Sequence, residues 1–443
     1  MGRGTSTLVL LVAALALGAY IYFVEADRPP AGTEETLEQV FDIESSQITS
    51  VTVEAEDGQR TVLRKRDDRW RLVEPLTTNV NVTELVGLTS GLASLEIQRV
   101  VSEPDEAADL SAFGLDPPRI AVGFETPDTS GRLLIGARTP TGGDLYATVE
   151  GSGRVFLISG YVDGTFNRTT FDLRDKTILD FTQDQVRGLE ITGDAGTIRL
   201  RKADTRWSLV APIEAHADAT VTDGLVGRLT TGQMLDIAAE ETDELEAYGL
   251  AAPAWSVSVE LDEGVATLLV GDAAPDGGVY ARDTARPMVF TVDASLAEDL
   301  ARDASEYRRG NLFAFRPFNA TRLGIDAGGA RQVFERVEAD EGTDAGWRRI
   351  EPEPGEVDTV RMDDLLGQLA NLRADGFTPT RDDTGLDAPV ATVEVTFGDP
   401  SEEERVTIGR AGDDVFAVNG DEPGAAQVDA GAWDTILATL ETL

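Results

Sequence analysis

Apolar residues in this chain form one unbroken block, and after it they fall into short patterned runs. The block is Leu8–Val24, 17 residues without a charge or a proline. With Thr5–Thr7 it makes a helix of about 30 Å, the thickness of one bilayer core. From Val40 to Leu443 the apolar positions alternate or recur at helical spacing, and the whole pattern repeats about every 136 residues.

The block is expected to be a transmembrane signal-anchor. Arg3 precedes it and Glu25, Asp27, Glu34 and Glu35 follow, which places the N-terminus in the cytoplasm and the rest of the chain outside. Tyr20, Tyr22 and Phe23 sit at the outer interface, where aromatic rings are favoured. The rival is a cleaved signal peptide with Ala14-Leu15-Ala16 as its small-residue site, but the apolar run continues past it to Val24. Residues 26–37 read as a polar tether.

Each repeat opens with an apolar cluster and a strand: Ile43 to Val53, Phe181 to Ile191, Phe315 to Ile325. A second signal is Trp70, Trp207 or Trp347 in an alternating strand, closed by Pro75, Pro212 or Pro352. An amphipathic helix follows, marked by Leu85-Val86-Gly87, Leu225-Val226-Gly227 and Leu365-Leu366-Gly367. Then come the turns Phe113-Gly114-Leu115, Tyr248-Gly249-Leu250 and Thr384-Gly385-Leu386, each followed by a proline and a strand. Further strands end at Gly136, Gly271 and Gly409 and carry Tyr146, Tyr280 and Phe416. The last carry Val155-Phe156, Val289-Phe290 and Gln427-Val428. A closing helix is clearest at Trp433, Ile436, Leu437, Leu440 and Leu443.

This pattern predicts an α+β fold: an N-terminal transmembrane helix over 1–25, the tether, and tandem repeats over 38–175, 176–309 and 310–443. Each repeat is mostly antiparallel strands with one or two helices. The recurring tryptophans fill cores. The recurring glycines are read as positions that need a positive φ or a close approach.

Composition narrows the chemistry. The chain has 443 residues, 38 basic and 80 acidic, for a net charge of −42. The acids are scattered, and the longest run is Glu402–Glu404, so they read as a solvated surface that repels nucleic acid. There is no cysteine, which excludes disulfides and thiolate chemistry. The one histidine, His216, reads as an exposed loop residue before a helix.

Comparing the copies finds almost no constant polar residue. There is no nucleophile elbow, Walker loop or dinucleotide fingerprint. Asp382-Asp383 and Asp413-Asp414 lack calcium-loop spacing and read as solvated loops. The recurring charge is Arg174 and Arg308 near the repeat junctions, read as an inter-domain salt bridge or a helix C-terminal cap. No catalytic, cofactor-binding or metal residue is assigned.

The set Trp-x-Leu-x-x-Pro, Leu-Val-Gly, (Phe/Tyr)-Gly-Leu-x-x-Pro and the junction Arg174-Asp175-Lys176-Thr177-Ile178-Leu179-Asp180-Phe181 resembles a bacterial domain-of-unknown-function family of membrane-anchored repeat proteins. These are encoded beside gliding-motility-type ABC exporters. The resemblance runs from Val40 to Leu443 and departs at Thr384 and Arg349 in the third copy. It implies an accessory role outside the cytoplasm, next to ABC transporter subunits, and no catalytic residue.

The expected function is a non-enzymatic binding or scaffold protein, held in the bilayer through Leu8–Val24. The alternatives are a surface-anchored hydrolase using paired carboxylates and an adhesin or spacer stalk.

Overall fold

The computed structural model describes residues 37–104, 109–337 and 346–443. It forms two compact units, one ending at Asp175 and one running from Lys176 to Leu443. The first holds one nine-stranded sheet and the second holds two.

The first sheet comprises β1 (Ser50–Glu54), β2 (Arg60–Arg66), β3 (Arg69–Glu74), β4 (Thr78–Asn79), β5 (Arg99–Ser102), β6 (Ile120–Glu125), β7 (Ser130–Arg138), β8 (Asp144–Val149) and β9 (Val155–Ser159). Its spatial order is β4-β3-β2-β1-β6-β7-β8-β9-β5. Two antiparallel meanders thus meet at the β1–β6 pair, where Val51 faces Phe124 and Val53 faces Val122. Helix α1 (Val82–Ala93) lies between β4 and β5 in sequence and carries the chain from one edge of the sheet to the other.

The second sheet repeats this order with β10 (Val186–Gly193), β11 (Gly196–Ala203), β12 (Arg206–Ala211), β13 (Ala215–His216), β14 (Asp236–Ala239), β15 (Trp255–Leu261), β16 (Val265–Ala273), β17 (Gly278–Asp283) and β18 (Val289–Asp293). Helix α2 (Ala219–Thr231) takes the place of α1, and a short helix α3 (Ser295–Leu300) follows β18.

The third uses β19 (Ala320–Ala327), β20 (Ala330–Val337), β21 (Gly346–Glu351), β22 (Gly355–Glu356), β23 (Ala374–Thr378), β24 (Ala391–Phe397), β25 (Glu402–Ala411), β26 (Asp414–Asn419) and β27 (Ala425–Val428). Its helices are α4 (Thr359–Ala370) and α5 (Ala430–Leu440).

The α+β expectation is corrected. Among the described residues strand makes up 44% and helix 21%, so each unit of architecture is an antiparallel sheet carrying one main helix. Strands β4, β5 and their counterparts leave no signal in the sequence. These are only two to five residues long, too short to show alternation. The expected transmembrane helix finds no counterpart either. Among the described residues no helix is long and apolar enough to cross a membrane, and Leu8–Val24 lies outside them.

The main helices start where a side chain can satisfy their free amides. Asn81 accepts from the amides of Thr83 and Glu84, Asp218 from Thr220 and Val221, and Asp358 from Val360 and Arg361. Each such cap stabilises by about 1 kcal/mol. Counting from the caps, the buried quartets coincide: Leu85, Leu88, Thr89, Leu92; Thr222, Leu225, Val226, Leu229; Met362, Leu365, Leu366, Leu369. The Leu85-Val86-Gly87 marker is therefore one turn out of step, and Leu88 is the true counterpart of Leu225. A one-turn shift keeps the same face buried, so periodicity could not detect it.

The last-strand alignment also shifts. Tyr146, Tyr280 and Phe416 pair with Leu157, Thr291 and Gln427, so Ala425-Ala426, not Gln427-Val428, matches Val155-Phe156.

The turn glycines behave as expected. Gly114, Gly249 and Gly385 have φ of +67°, +67° and +72°. Opposite them, a Cβ on Gly136, Gly271 or Gly409 would lie under 3.0 Å from the carbonyl oxygen of Phe113, Tyr248 or Thr384. Two backbones cross there with no room for a side chain. The helical Gly87, Gly227 and Gly367 are different: a Cβ on any of them meets nothing within 4 Å, and close approach does not explain them.

Candidate functional site

A wide recess lies between the second and third sheets, inside the second compact unit. Its volume is about 740 Å³. Strands β12 and β13 and the residues between them supply Ser208, Leu209, Val210, Glu214, Ala215 and His216. The turn after β26 supplies Asn419, Gly420, Asp421, Glu422 and Pro423.

Glu422 is the centre of this junction. Strand β13 pairs His216 with Ser208 on β12, which aims its backbone amide and ring toward the third sheet. The amide donates to Glu422 Oε1 at 2.8 Å, and the ring Nδ1 meets the same oxygen. The other oxygen accepts from Arg308 Nη2 at 2.7 Å. Arg308 is buried, and its guanidinium lies 4.2 Å from the centre of the Phe377 ring. Arg381 closes the turn from the third sheet, donating to the Glu422 carbonyl at 2.6 Å.

Burial would raise the Glu422 carboxyl, but hydrogen bonds from the His216 ring and amide and from Arg308 outweigh it. The carboxyl is held down at about 2.

Two further arginines repeat the theme. Arg309 Nη2 donates to Glu404 Oε1 at 2.9 Å, while Glu404 Oε2 accepts from the Ala314 amide at 2.6 Å. Arg206 Nη1 reaches Glu402 Oε2 at 2.7 Å. Strand β25 alternates, so Glu402 and Glu404 share a face while Glu403 points away. The acidic run that read as solvated surface is thus partly an ion-pair strip, and His216 is a strand residue with a carboxylate partner. The one available signal was an acid at every second residue of a strand together with an Arg pair at the junction.

Arg308 forms an ion pair with Glu422 that joins the second and third sheets within one compact unit. Arg174 is buried, and its amide donates to the Thr170 carbonyl at the end of a helical turn. In the first unit one charge cluster centres on Arg119, which bonds Glu56 at 2.9 Å and also Asp163, with Arg138 on Asp163 at 2.7 Å. Asp163 is half-shielded, which favours protonation, yet the two arginines pull its carboxyl below the usual range.

A general acid needs a raised pKa, and Glu422 has the reverse. Asp382, Asp383, Asp413 and Asp414 are exposed, and among the described residues no group of three or more His, Asp or Glu is placed to hold a metal.

Sequence comparison adds the family. A model described as a domain of unknown function, DUF4340, matches residues 70–223 and again 207–389, together well over half of the chain. The chain belongs to this family. Both DUF4340 matches begin on the tryptophan of the third strand, Trp70 and Trp207, and run through one sheet into the next. The family unit is therefore out of phase with the sheets, and a match crosses from sheet to sheet. No curated protein and no solved structure gives a significant match.

Proposed function

We propose that this protein is a non-enzymatic binding or scaffold protein, standing outside the cytoplasm as an accessory to an ABC-type exporter. One observation carries the scaffold reading. The buried charges that meet beside the recess, Arg308 with Glu422 and Arg309 with Glu404, are paired with each other and hold the second and third sheets together. What recurs among the three sheets is core, caps and backbone crossings, which build surface and do no chemistry. The location outside the cytoplasm rests on the sequence of residues 1–25, and the exporter on the resemblance of the junction and turn motifs.

A carboxylate hydrolase finds less support, because Glu422, the best-placed acid of the recess, is held ionised by hydrogen bonds from His216 and Arg308. Affinity purification of the full chain from native membranes tests the proposal. Co-recovery of transporter subunits is expected. Recovery of the chain by itself would sink the exporter role.

A further inference from the structure

In the first two sheets the β4-type edge strand is not left open. The chain returns after the last strand and pairs with it. In the first sheet the Asn81 amide donates to the Leu173 carbonyl at 2.9 Å, and the Asp175 amide to the Asn79 carbonyl at 3.0 Å. In the second, the Asp218 amide donates to the Tyr307 carbonyl at 2.8 Å, and the Arg309 amide to the His216 carbonyl at 2.8 Å. Leu173 and Tyr307 are fully buried beneath this return, and each is followed by Arg.

The third sheet has the same edge. Glu356 pairs with Arg348 as His216 pairs with Ser208, so Glu356, Val357 and Asp358 are the counterparts of His216, Ala217 and Asp218. Here no described residue bonds the Asp358 amide or the Glu356 carbonyl on the outer side. Val357 is only partly buried where Val80 and Ala217 are buried, and Val360 in the next turn is 71% exposed. Pro352 and Pro354 protect the approach to the strand, as edges commonly require, but leave 356–358 open.

We infer that this edge takes a short extended segment from a partner protein, bearing a large apolar residue followed by arginine. Two observations set that chemistry. The counterpart edges are covered by Leu173-Arg174 and by Tyr307-Arg308-Arg309. The open strip, Glu353-Pro354-Gly355-Glu356-Val357-Asp358, carries three exposed acids and no base. Added as an antiparallel strand, the segment would accept from the Asp358 amide, donate to the Glu356 carbonyl and seat its apolar side chain against the start of α4.

This deepens the binding-scaffold reading by naming the partner's chemistry, and it fails separately from the exporter role. The probe is a labelled peptide with the sequence of residues 301–310, titrated into the full chain and followed by anisotropy and amide hydrogen exchange. Saturable binding is expected, with slowed exchange at Asp358 and no change at Asn81 or Asp218, whose amides are already bonded. N-methylation of the amide corresponding to Arg309 removes one backbone hydrogen bond and leaves the protein untouched. It should weaken binding about tenfold. No binding, or binding indifferent to that methyl group, overturns the proposal. So does self-association of the chain that protects Asp358 by itself, because the occupant would then be a second copy.

Discussion

The Arg308 guanidinium, 3% exposed, donates to Glu422 at 2.7 Å across the join between the second and third sheets. A buried ion pair of this kind adds little over an apolar pair of the same shape, but breaking it from one side is costly, because a buried charge is left without its partner.

Arg308→Met is therefore expected to destabilise the second compact unit by about 3–5 kcal/mol, and the double variant Arg308→Met with Glu422→Met to recover most of that loss. Urea unfolding of the full chain measures both. A loss below about 1 kcal/mol in the single variant would mean that the pair is dispensable.

The same carboxylate makes the junction acid-sensitive. Glu422 has an ordinary value of 4.5 and is held at about 2 in the folded chain. A depressed folded value stabilises at pH above 4.5, and the contribution drains away as pH falls from 4.5 toward 2. Glu422→Gln removes this dependence. The stability gap between wild type and Glu422→Gln should be constant from pH 7 to about 5 and narrow steadily below about 4.5. A gap that stays constant down to pH 3 would show that the carboxylate gains nothing from His216 and Arg308.

Local features of this fold were legible in the sequence and distant ones were not. The turn at Phe113-Gly114-Leu115 and the strand at Trp207 each depend on residues within a few positions, so spacing revealed them. Strands β13 and β22, two residues each, exist only because β12 and β21 lie beside them. The Glu404 partnership with Arg309 spans 95 positions, and no local pattern encodes it. The class was misjudged for a related reason. The antiparallel strands are legible, but one helix of about twelve residues gives a stronger periodic signal than strands of two to five residues, so a mainly β architecture reads as α+β.

Tyr307 supplies a test at the alkaline end. Burial beneath the return segment pushes its hydroxyl up from 10.0 to about 12. A raised value for an acid means the neutral form is favoured in the fold. Its contribution is complete below pH 10 and is lost as pH climbs toward 12. Ultraviolet titration should show a late phenolate step near 12 that is missing in Tyr307→Phe. If both proteins give the same curve, the side chain is more solvated than the geometry implies.

Glycine substitutions should change sign with position. At Gly136 and Gly271 an added Cβ meets the carbonyl oxygen of Phe113 or Tyr248, which is backbone and cannot swing aside. Gly136→Ala and Gly271→Ala are each expected to cost about 1–3 kcal/mol, the usual range for forced overpacking. At Gly87 and Gly227 the backbone is helical and the added methyl group meets nothing within 4 Å. There alanine removes the entropy cost of ordering glycine in a helix, and Gly87→Ala and Gly227→Ala should each stabilise by about 0.5–1 kcal/mol. Thermal unfolding of the four single variants decides the matter. Destabilisation at all four would mean that the helical glycines face a neighbour. Neutrality at Gly136 and Gly271 would mean that the turn and the strand do not cross as closely as their backbones indicate.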